Sequence, residues 1–233
     1  MCQECGCEEP STTIPINESI TKHNDELAHR LRHEFIDKDI LCVNLMGAPG
    51  SGKTTLIEGL AKELGNKAVA VIQGDLESAV DKTRLEEQGI DTFQINTHSG
   101  CHLTAQMISE AIMNMNLKDK QYVFIENVGN LVCPSGVPIG QHTTLLASAV
   151  TEGSDKPKKY PIAFIHASLV IITKEDLIPH VDFDKEMYVQ DLKDIASQAK
   201  ILSCSRKKPD SFKAIANVLA HKRDHVLGHS HTH

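Results

Sequence analysis

Two adjacent residues, Cys101 and His102, combine a thiol and an imidazole in the segment NTHSGCHLTAQ, residues 96–106. The pair could belong to a core, form a nucleophile with its base, or provide two ligands for a metal ion. Neighbouring residues on a helix point about 100° apart, so His102 is poorly placed as the base for Cys101. Cys133, in the segment NLVCPSG, adds a second thiol. These three side chains suit Zn²⁺ or Ni²⁺, whereas a free cysteine alone also packs well in a core.

Further candidate metal ligands are concentrated at the two ends of the chain. Three of the seven cysteines lie in the first seven residues: Cys2, Cys5 and Cys7. Five of the 13 histidines lie in residues 221–233, and three of them end the chain: His229, His231 and His233. We predict that residues 221–233 form a tail that cannot pack a core and that is able to bind Ni²⁺. A purification tag or an inert tail is the alternative.

Phosphate binding is indicated by the segment GAPGSGKT, which matches G-x-x-x-x-G-K-[ST] and follows a predicted strand. The backbone N–H groups of such a loop surround a phosphate, and the following helix N-terminus adds partial positive charge. We expect Lys53 to contact the β- and γ-phosphates and Thr54 to take one Mg²⁺ position. The position between a strand and a helix argues against a chance glycine-rich turn. The predicted nucleotide contacts from this motif are Gly47, Ala48, Pro49, Gly50, Ser51, Gly52, Lys53, Thr54 and Thr55.

Three carboxylates follow predicted strands near the phosphate loop. Asp75 comes just after one strand, Asp81 lies six positions later, and Glu126 ends the next strong strand. Parallel strands bring their carboxyl ends to one edge of a sheet, where the phosphate loop also lies. We therefore predict that these acids and Lys53 serve catalysis, with Thr54, Asp75 and Glu126 holding Mg²⁺. Solvated loop carboxylates are the alternative.

The segment IITKEDL indicates which base is bound. Asp176 could accept hydrogen bonds from guanine N1 and N2, while the Lys174 stem lies against the ring. The usual guanine motif is Asn-Lys-x-Asp, and Thr173 stands in place of the asparagine. Without a phosphate loop the segment would be an ordinary charged turn. Together the two motifs favour GTP.

Apolar strands that alternate with helical stretches must position these residues. The pattern predicts strands at 40–46, 68–73, 92–95, 122–127, 143–150, 169–173 and 199–204. It predicts helices at 18–35, 77–88, 102–116, 184–198 and 210–220, and a charged loop at 152–161. This is the pattern of an α/β P-loop NTPase, with a mostly parallel sheet covered by helices on both faces. The organisation is a cysteine-rich arm at 1–17, a nucleotide-binding domain at 18–220 and the tail at 221–233.

Composition excludes several classes of protein. The 233 residues carry a net charge of −7 and no long Lys/Arg block, which argues against a nucleic-acid partner. No apolar run approaches 18 residues, and the N-terminus MCQECGCEEP has no basic-then-apolar signal. We therefore expect a cytoplasmic protein without a membrane partner, and cysteines that are thiols rather than disulfides.

At this point the residues resemble a known family, the HypB family of hydrogenase nickel-incorporation GTPases, which is related to the urease accessory GTPase. The resemblance covers about residues 36–200 and runs through GAPGSGKTTLIE, GDLESAVD, GCHLTA, ENVGNLVCP, TEGSDKPKKYP and TKEDLIPHVDFD. The N-terminal CQECGC is similar to the cysteine-rich arm of some members. SCSRKKPDS stands where the family has a Ser-Ala-x-Thr-Gly stretch, and by that position Ser203 is implied to help hold the base.

The resemblance implies a GTPase of the signal-recognition/MinD type that forms a homodimer when GTP is bound. It implies an interface site for Ni²⁺ or Zn²⁺ made by Cys101, His102 and Cys133, which hands Ni²⁺ toward a hydrogenase large subunit. A companion nickel metallochaperone is implied as a further partner. By position, the three N-terminal cysteines match the family's tighter nickel site.

The expected chemistry is Mg²⁺-assisted attack of water on the γ-phosphate of GTP. The sequence shows no clear glutamine to orient the water and no evident arginine finger, so we expect a slow intrinsic rate. Two alternatives remain open. One is a urease-type nickel accessory GTPase, and the other is a nickel or zinc storage protein with a regulatory nucleotide site.

Overall fold

The computed structural model describes residues 16–75, 80–97 and 100–228, except for the side chains of 16–20, 75 and 80. Seven strands form one sheet in the order β3-β2-β4-β1-β5-β6-β7, and every neighbouring pair is parallel. The strands are β1 Leu41–Met46, β2 Val69–Asp75, β3 Asp91–Asn96, β4 Tyr122–Glu126, β5 Thr143–Ala149, β6 Leu169–Thr173 and β7 Lys200–Ser203. All seven predicted strands and the predicted fold class are confirmed.

Eight α-helices connect and cover these strands within the described residues. They are α1 Ile16–Asp37, α2 Lys53–Leu64, α3 Val80–Glu86, α4 Ala105–Met113, α5 Lys156–Lys159, α6 Pro161–Ile165, α7 Lys185–Ile195 and α8 Asp210–Val226. Short 3₁₀ helices add Asn66–Ala68, Val150–Glu152 and Glu175–His180. None of the described helices is long and apolar enough to cross a membrane.

The core lies on both faces of the sheet, because the central strands are continuously apolar and buried on each side. On one face α2 and α8 pack together, with Phe212 of α8 against the sheet cluster. On the other face α1 and α4 pack together, where Leu31 and Phe35 of α1 are fully enclosed. Tyr188 of α7 anchors a third cluster with α6 near β6.

Three departures from the predicted boundaries bear on the candidate site and on the ends of the domain. The helix predicted from residue 102 begins at Ala105, because Thr104 is the N-cap and its side chain accepts a hydrogen bond from Met107 N. The segment 152–161, predicted to be a loop, contains α5, in which Pro157 sits in the first turn where its missing N–H is not needed. Cys101 and His102 therefore lie in a loop rather than on a helix, and the helical argument against their contact does not apply.

The third wrong boundary concerns the tail predicted at residues 221–233. Helix α8 continues to Val226, which packs against the core, and Arg223 donates two hydrogen bonds to the carbonyl oxygen of Asp39 at 2.8 and 3.2 Å. The first part of the segment therefore belongs to the folded domain. The predicted ligands His229, His231 and His233 lie outside the described residues, as do Cys2, Cys5 and Cys7.

Candidate functional site

The phosphate loop connects β1 to α2 and depends on its glycines. A Cβ atom on Gly47 would lie 2.6 Å from the carbonyl oxygen of Ala147, and Gly52, just before α2, has a φ of 88°. The Lys53 ammonium donates to the carbonyl oxygens of Gly47 and Ala48 at 3.1 and 3.2 Å. The amino group thus lies over the loop, in a cavity of about 520 Å³. This is the arrangement that binds the phosphates of a nucleoside triphosphate.

Three oxygen ligands converge beside the loop. The Thr54 hydroxyl lies 3.0 Å from Asp81 Oδ2 and 3.0 Å from Glu126 Oε1. One hydroxyl proton cannot fully satisfy two carboxylates, and Mg²⁺ prefers this set of hard oxygen ligands. The residues present therefore fit the predicted cation. Asp75 ends β2 in register with Asn96, but its side chain is not among those described.

Glu126 is buried, and burial raises the pKa of its carboxyl group above the ordinary value. The Gln73 amide donates to Glu126 Oε2 at 2.9 Å, and the nearby Lys53 charge also opposes the shift. A carboxylate in this environment gains more from a cation than an exposed one does, because the cation replaces lost hydration.

Arg84 on α3 lines the same cavity and was missed in the sequence analysis. Its guanidinium donates to Asp81 Oδ1 at 3.2 Å and to Glu58 Oε2 at 2.7 Å. The i,i+3 spacing from Asp81 was the available signal, since residues three apart share a helix face. Without the placement of α3 beside α2, that signal does not distinguish a surface pair from a nucleotide contact.

A second cavity, of about 320 Å³, adjoins the phosphate loop and has the predicted base-binding residues in its wall, with Thr173, Lys174 and Asp176 among them. The Ser205 hydroxyl donates to Asp176 Oδ1 at 2.5 Å, and Lys207 lies 3.3 Å from Oδ2. The hydrogen bond from Ser205 and the neighbouring Lys207 hold the pKa of Asp176 below its usual value. Asp176 is therefore an anionic acceptor in the cavity wall.

Ser203, which the resemblance implies to help hold the base, does not line the base cavity. Its side chain hydrogen-bonds to Glu175, whereas Cys204 to Lys207 line the base cavity. Ser203 is the last residue of β7, so Ser205 and its neighbours lie in the segment beyond the strand. Ser205, beyond the strand, has the hydroxyl that contacts Asp176.

Thr173 and Lys174 also tie the base cavity to the phosphate loop. The Thr173 hydroxyl donates to Ser51 O at 2.6 Å, and the Lys174 ammonium donates to Gly50 O at 2.7 Å. Lys174 adopts a left-handed φ of 57°, which is uncommon for a residue with a side chain. Threonine in place of asparagine thus still provides a donor to the loop.

The structure brings together the thiol and imidazole ligands proposed for a transition metal. Cys101 Sγ lies 3.5 Å from His102 Nδ1, and a hydrogen bond with Cys133 raises the pKa of the exposed Cys101 thiol. Within residues 16–75, 80–97 and 100–228, no three His, Cys, Asp or Glu side chains form a ready-made metal site. The pairwise contacts fit a set of thiol and imidazole ligands that does not by itself fill a coordination shell.

Two asparagines connect these ligands to the rest of the molecule, and neither was predicted. Asn127, which is 1% exposed and lines the nucleotide cavity, accepts hydrogen bonds from Leu103 N at 3.2 Å and Val128 N at 3.0 Å. Asn24 of α1 accepts from Ala105 N and donates to Pro138 O, both at 2.9 Å. The loop that carries Cys101 and His102 is therefore held between the nucleotide edge and α1.

The parallel sheet, the phosphate loop and the oxygen cluster define a P-loop NTPase. A family model described as "CobW/HypB/UreG, nucleotide-binding domain" matches residues 41–203. A solved structure of the signal recognition particle receptor FtsY from Elizabethkingia anophelis, at 16% identity and a TM-score of 0.51, shares the fold.

More similar relatives define the family. The hydrogenase maturation factor HypB of Escherichia coli K12 is 37% identical over 211 residues, which cover 90% of this chain and 73% of that protein. The crystal structure of HypB from Helicobacter pylori in complex with nickel has a TM-score of 0.84 at 34% identity, and the match covers 91% of this chain and 99% of that one. HypB of Archaeoglobus fulgidus gives a TM-score of 0.81 at 34% identity, with 87% and 99% covered. The chain belongs to the HypB family of hydrogenase maturation factors.

Proposed function

We propose that the protein is a GTP-hydrolysing nickel metallochaperone that gates Ni²⁺ insertion into the large subunit of a [NiFe]-hydrogenase. The observation that carries this proposal is the hydrogen bond from Leu103 N to Asn127 Oδ1, because it joins the nucleotide cavity to the thiol–imidazole loop. The solved HypB of Helicobacter pylori binds nickel, which supports the choice of metal. Zn²⁺ competes for the same ligands.

GTP selectivity rests on Asp176, whose anionic carboxylate would accept from guanine N1 and N2. Adenine presents an acceptor at N1, so it cannot replace those donors. The Lys174 stem would lie against the base while its ammonium holds the phosphate loop. Ser205 orients the Asp176 carboxylate by the hydrogen bond that its hydroxyl donates to Oδ1.

Hydrolysis requires water to attack the γ-phosphorus as the bond to the GDP oxygen breaks, which yields GDP and inorganic phosphate. Lys53 would offset charge on the phosphates, and Thr54, Asp81 and Glu126 would hold Mg²⁺, which supplies further charge neutralisation when bound. Asp81 thereby takes the Mg²⁺ position predicted for Asp75, because its carboxylate contacts Thr54, and Asp75 is proposed to position the water instead. Gln73 and Arg84 are both hydrogen-bonded to carboxylates, so a slow intrinsic rate is expected until those contacts are exchanged.

Metal and nucleotide binding are coupled through the segment after β4. Gly129 lies against Pro49, Asn130 forms a bridge with Gly47, and Cys133 follows in the same segment. A γ-phosphate that displaces this segment would move Cys133 directly and would move Leu103 through Asn127. We therefore infer that GTP brings the ligands of two copies together, so that Cys101, His102 and Cys133 complete an interface site in a homodimer.

Further nickel ligands and partners extend this proposal. Cys2, Cys5 and Cys7 would hold Ni²⁺ more tightly, and the C-terminal histidines would add capacity. A companion nickel metallochaperone would take part in delivery. Urease is a second candidate client, because relatives from Helicobacter carry the name hydrogenase/urease maturation factor.

The test is the mass of the protein in solution with Mg²⁺, with GDP or a non-hydrolysable GTP analogue, and with one equivalent of Ni²⁺. We expect a dimer only with the analogue, and loss of interface nickel in Cys101→Ala/His102→Ala. A mass that never changes, with nickel loss that follows only the chain ends, would refute the interface site.

Coupling is tested separately with Asn127→Ala and the conservative Asn127→Asp, which keeps a side-chain acceptor. We expect the ratio of nickel affinities with GTP analogue and GDP to approach one in Asn127→Ala and to be partly kept in Asn127→Asp. Equal ratios in the wild type and both variants would show that the asparagine only fills space.

A further inference from the structure

Two histidines form a pair on the exposed face of α1, away from the cysteine loop. His29 and His33 are one helical turn apart, and their Nε2 atoms are 3.4 Å from each other. The ring centroids are 4.6 Å apart, with the planes inclined by 58°. Both side chains are exposed, so neither ring is held there by core packing.

The separation of the two nitrogens matches the edge of a metal coordination polyhedron. Two imidazole nitrogens at about 2.0–2.1 Å from a metal lie roughly 3.4 Å apart in a tetrahedral arrangement and about 3.0 Å apart at a right angle. Histidines at i and i+4 on one helix face are a recurrent way to bind a divalent transition metal. We propose that His29 and His33 form a separate binding site for one borderline divalent cation, Ni²⁺ or Zn²⁺.

The surroundings suit a cation that keeps several waters. A shallow depression beside the pair is lined by His23, Asp25, Glu26, His29 and Arg30. Asp25 precedes His29 by four residues, and its carboxylate, with that of Glu26, offsets the Arg30 charge. The part of the chain that the structure describes contains no three-ligand set, so the site has two protein ligands and water completes it. Imidazole ligands select these metals over Mg²⁺.

The position on α1 gives the site a structural relation to the cysteine loop. Asn24, five residues before His29, contacts the backbone on both ligand-bearing segments, at Ala105 and at Pro138. Five residues correspond to about 7.5 Å along a helix axis. A cation on the histidine pair is therefore held on the helix whose Asn24 contacts the segments that carry these ligands, without sharing a ligand with them.

The test compares Ni²⁺ binding to the full chain by equilibrium dialysis in three forms. One form is the wild type, and the second is His29→Gln/His33→Gln. The third, His33→Gln/Glu34→His, keeps the number of histidines but moves one imidazole about 100° around the helix. We expect both variants to bind one Ni²⁺ fewer than the wild type. Equal stoichiometry in all three forms would overturn the proposal.

A second readout locates the metal independently of the other nickel sites. In histidine-ring NMR of the wild type, the His29 and His33 signals should shift together as Zn²⁺ is added. In His29→Gln the shift of His33 should be lost, and the reverse should hold in His33→Gln. Independent shifts of the two rings would contradict a shared cation. Both side chains are exposed, so circular dichroism should show unchanged helix content, and GTP-dependent dimerisation should persist because it needs other residues.

Discussion

Arg84 shows how one side chain changes the expected chemistry. It lies beside the phosphate loop and is held by Asp81 and Glu58. If a nucleotide and a cation engage Asp81 as proposed above, the guanidinium would exchange that partner for a phosphate within the same cavity. An arginine in this position stabilises negative charge that spreads over the γ-phosphate oxygens as the bond breaks.

We predict that Arg84→Ala lowers the single-turnover rate of GTP hydrolysis by roughly 10- to 100-fold, because one donor to the transition state is lost. Arg84→Lys should recover part of the rate. Lys82→Ala is the matched control, since Lys82 forms a surface pair with Glu86 at 3.6 Å. An unchanged rate at saturating GTP would show that Arg84 merely supports α3.

The role of a residue was predictable where a sequence motif determines both the residue type and the backbone conformation around it. Lys53 and Thr54 line the nucleotide cavity and Asp176 lines the base cavity, because the strand–loop–helix context of a motif determines where its residues lie. Ser205 and Arg84 were missed because their contacts depend on how separate elements approach one another. Whether Ser203 or Ser205 reaches Asp176 depends on where β7 ends, and boundaries are the least reliable part of a sequence-based prediction.

At the scale of elements, the close approach of α2 and α8 links the phosphate and base sites. A Cβ atom at Gly59 of α2 would lie 2.4 Å from the Phe212 ring of α8. Phe212 is also in the wall of the base cavity. The small residue in a helix interior is therefore explained by packing, which outweighs its unfavourable helix propensity of about 1 kcal/mol.

We predict that Gly59→Ala destabilises the protein by about 1–3 kcal/mol, because overpacking exceeds the gain in helix propensity. Urea unfolding measures this difference. In a Phe212→Leu background the cost of Gly59→Ala should fall, because the flat ring edge is removed. If Gly59→Ala costs the same stability in both backgrounds, the contact with the Phe212 ring is not the cause of the destabilisation.

Helix α1 is joined to the sheet by a buried histidine. His142 Nδ1 accepts from Cys42 N at 2.9 Å, and Nε2 lies 3.1 Å from Arg32 O, which requires a neutral ring protonated at Nε2. Burial is the main cause that lowers the pKa of His142 from 6.5 to about 4, and the Arg32 charge acts in the same direction. Acid therefore opposes the docking of α1.

The sign of the pH dependence follows from that shift. Between pH 6.5 and pH 4 the unfolded chain binds a proton at His142 that the folded protein does not, so stability falls as pH decreases through this window. We predict that His142→Gln is less stable at pH 7 but loses less of its stability between pH 7 and pH 5 than the wild type. Chemical unfolding at both pH values measures this, and identical losses would exclude His142 as the source.

At the scale of the whole molecule, the pattern of apolar residues was sufficient to predict the fold. Composition gave a wrong prediction for the C-terminal segment. Seven strands, most of them apolar and joined by helices, define the sheet, because parallel connections leave few arrangements. The C-terminal segment is rich in histidine and charge, yet α8 continues into it because Val226 and Arg223 find partners on the domain. Composition cannot show that the carbonyl oxygen of Asp39 lies within hydrogen-bond distance of the Arg223 guanidinium.

Two truncations separate the contribution of residues 221–228 from that of residues 229–233. Removal of residues 229–233 should leave the free energy of unfolding unchanged, whereas removal of 221–233 should cost about 2–3 kcal/mol. The larger cut removes Val226 burial and the two hydrogen bonds from Arg223 to Asp39 O. Arg223→Ala alone should cost about 1 kcal/mol, because a charged donor is lost from an exposed acceptor.

Measurements of nickel binding separate two roles of residues 221–233, namely metal binding and stabilisation of the domain. If the terminal histidines bind nickel, the shorter truncation should lower nickel stoichiometry while urea unfolding remains that of the wild type. The Arg223→Ala variant should show the opposite result, with reduced stability and full nickel stoichiometry. Equal stability of the two truncations would mean that the last turns of α8 add nothing to the stability of the domain. The predicted domain boundary at residue 220 would then be correct.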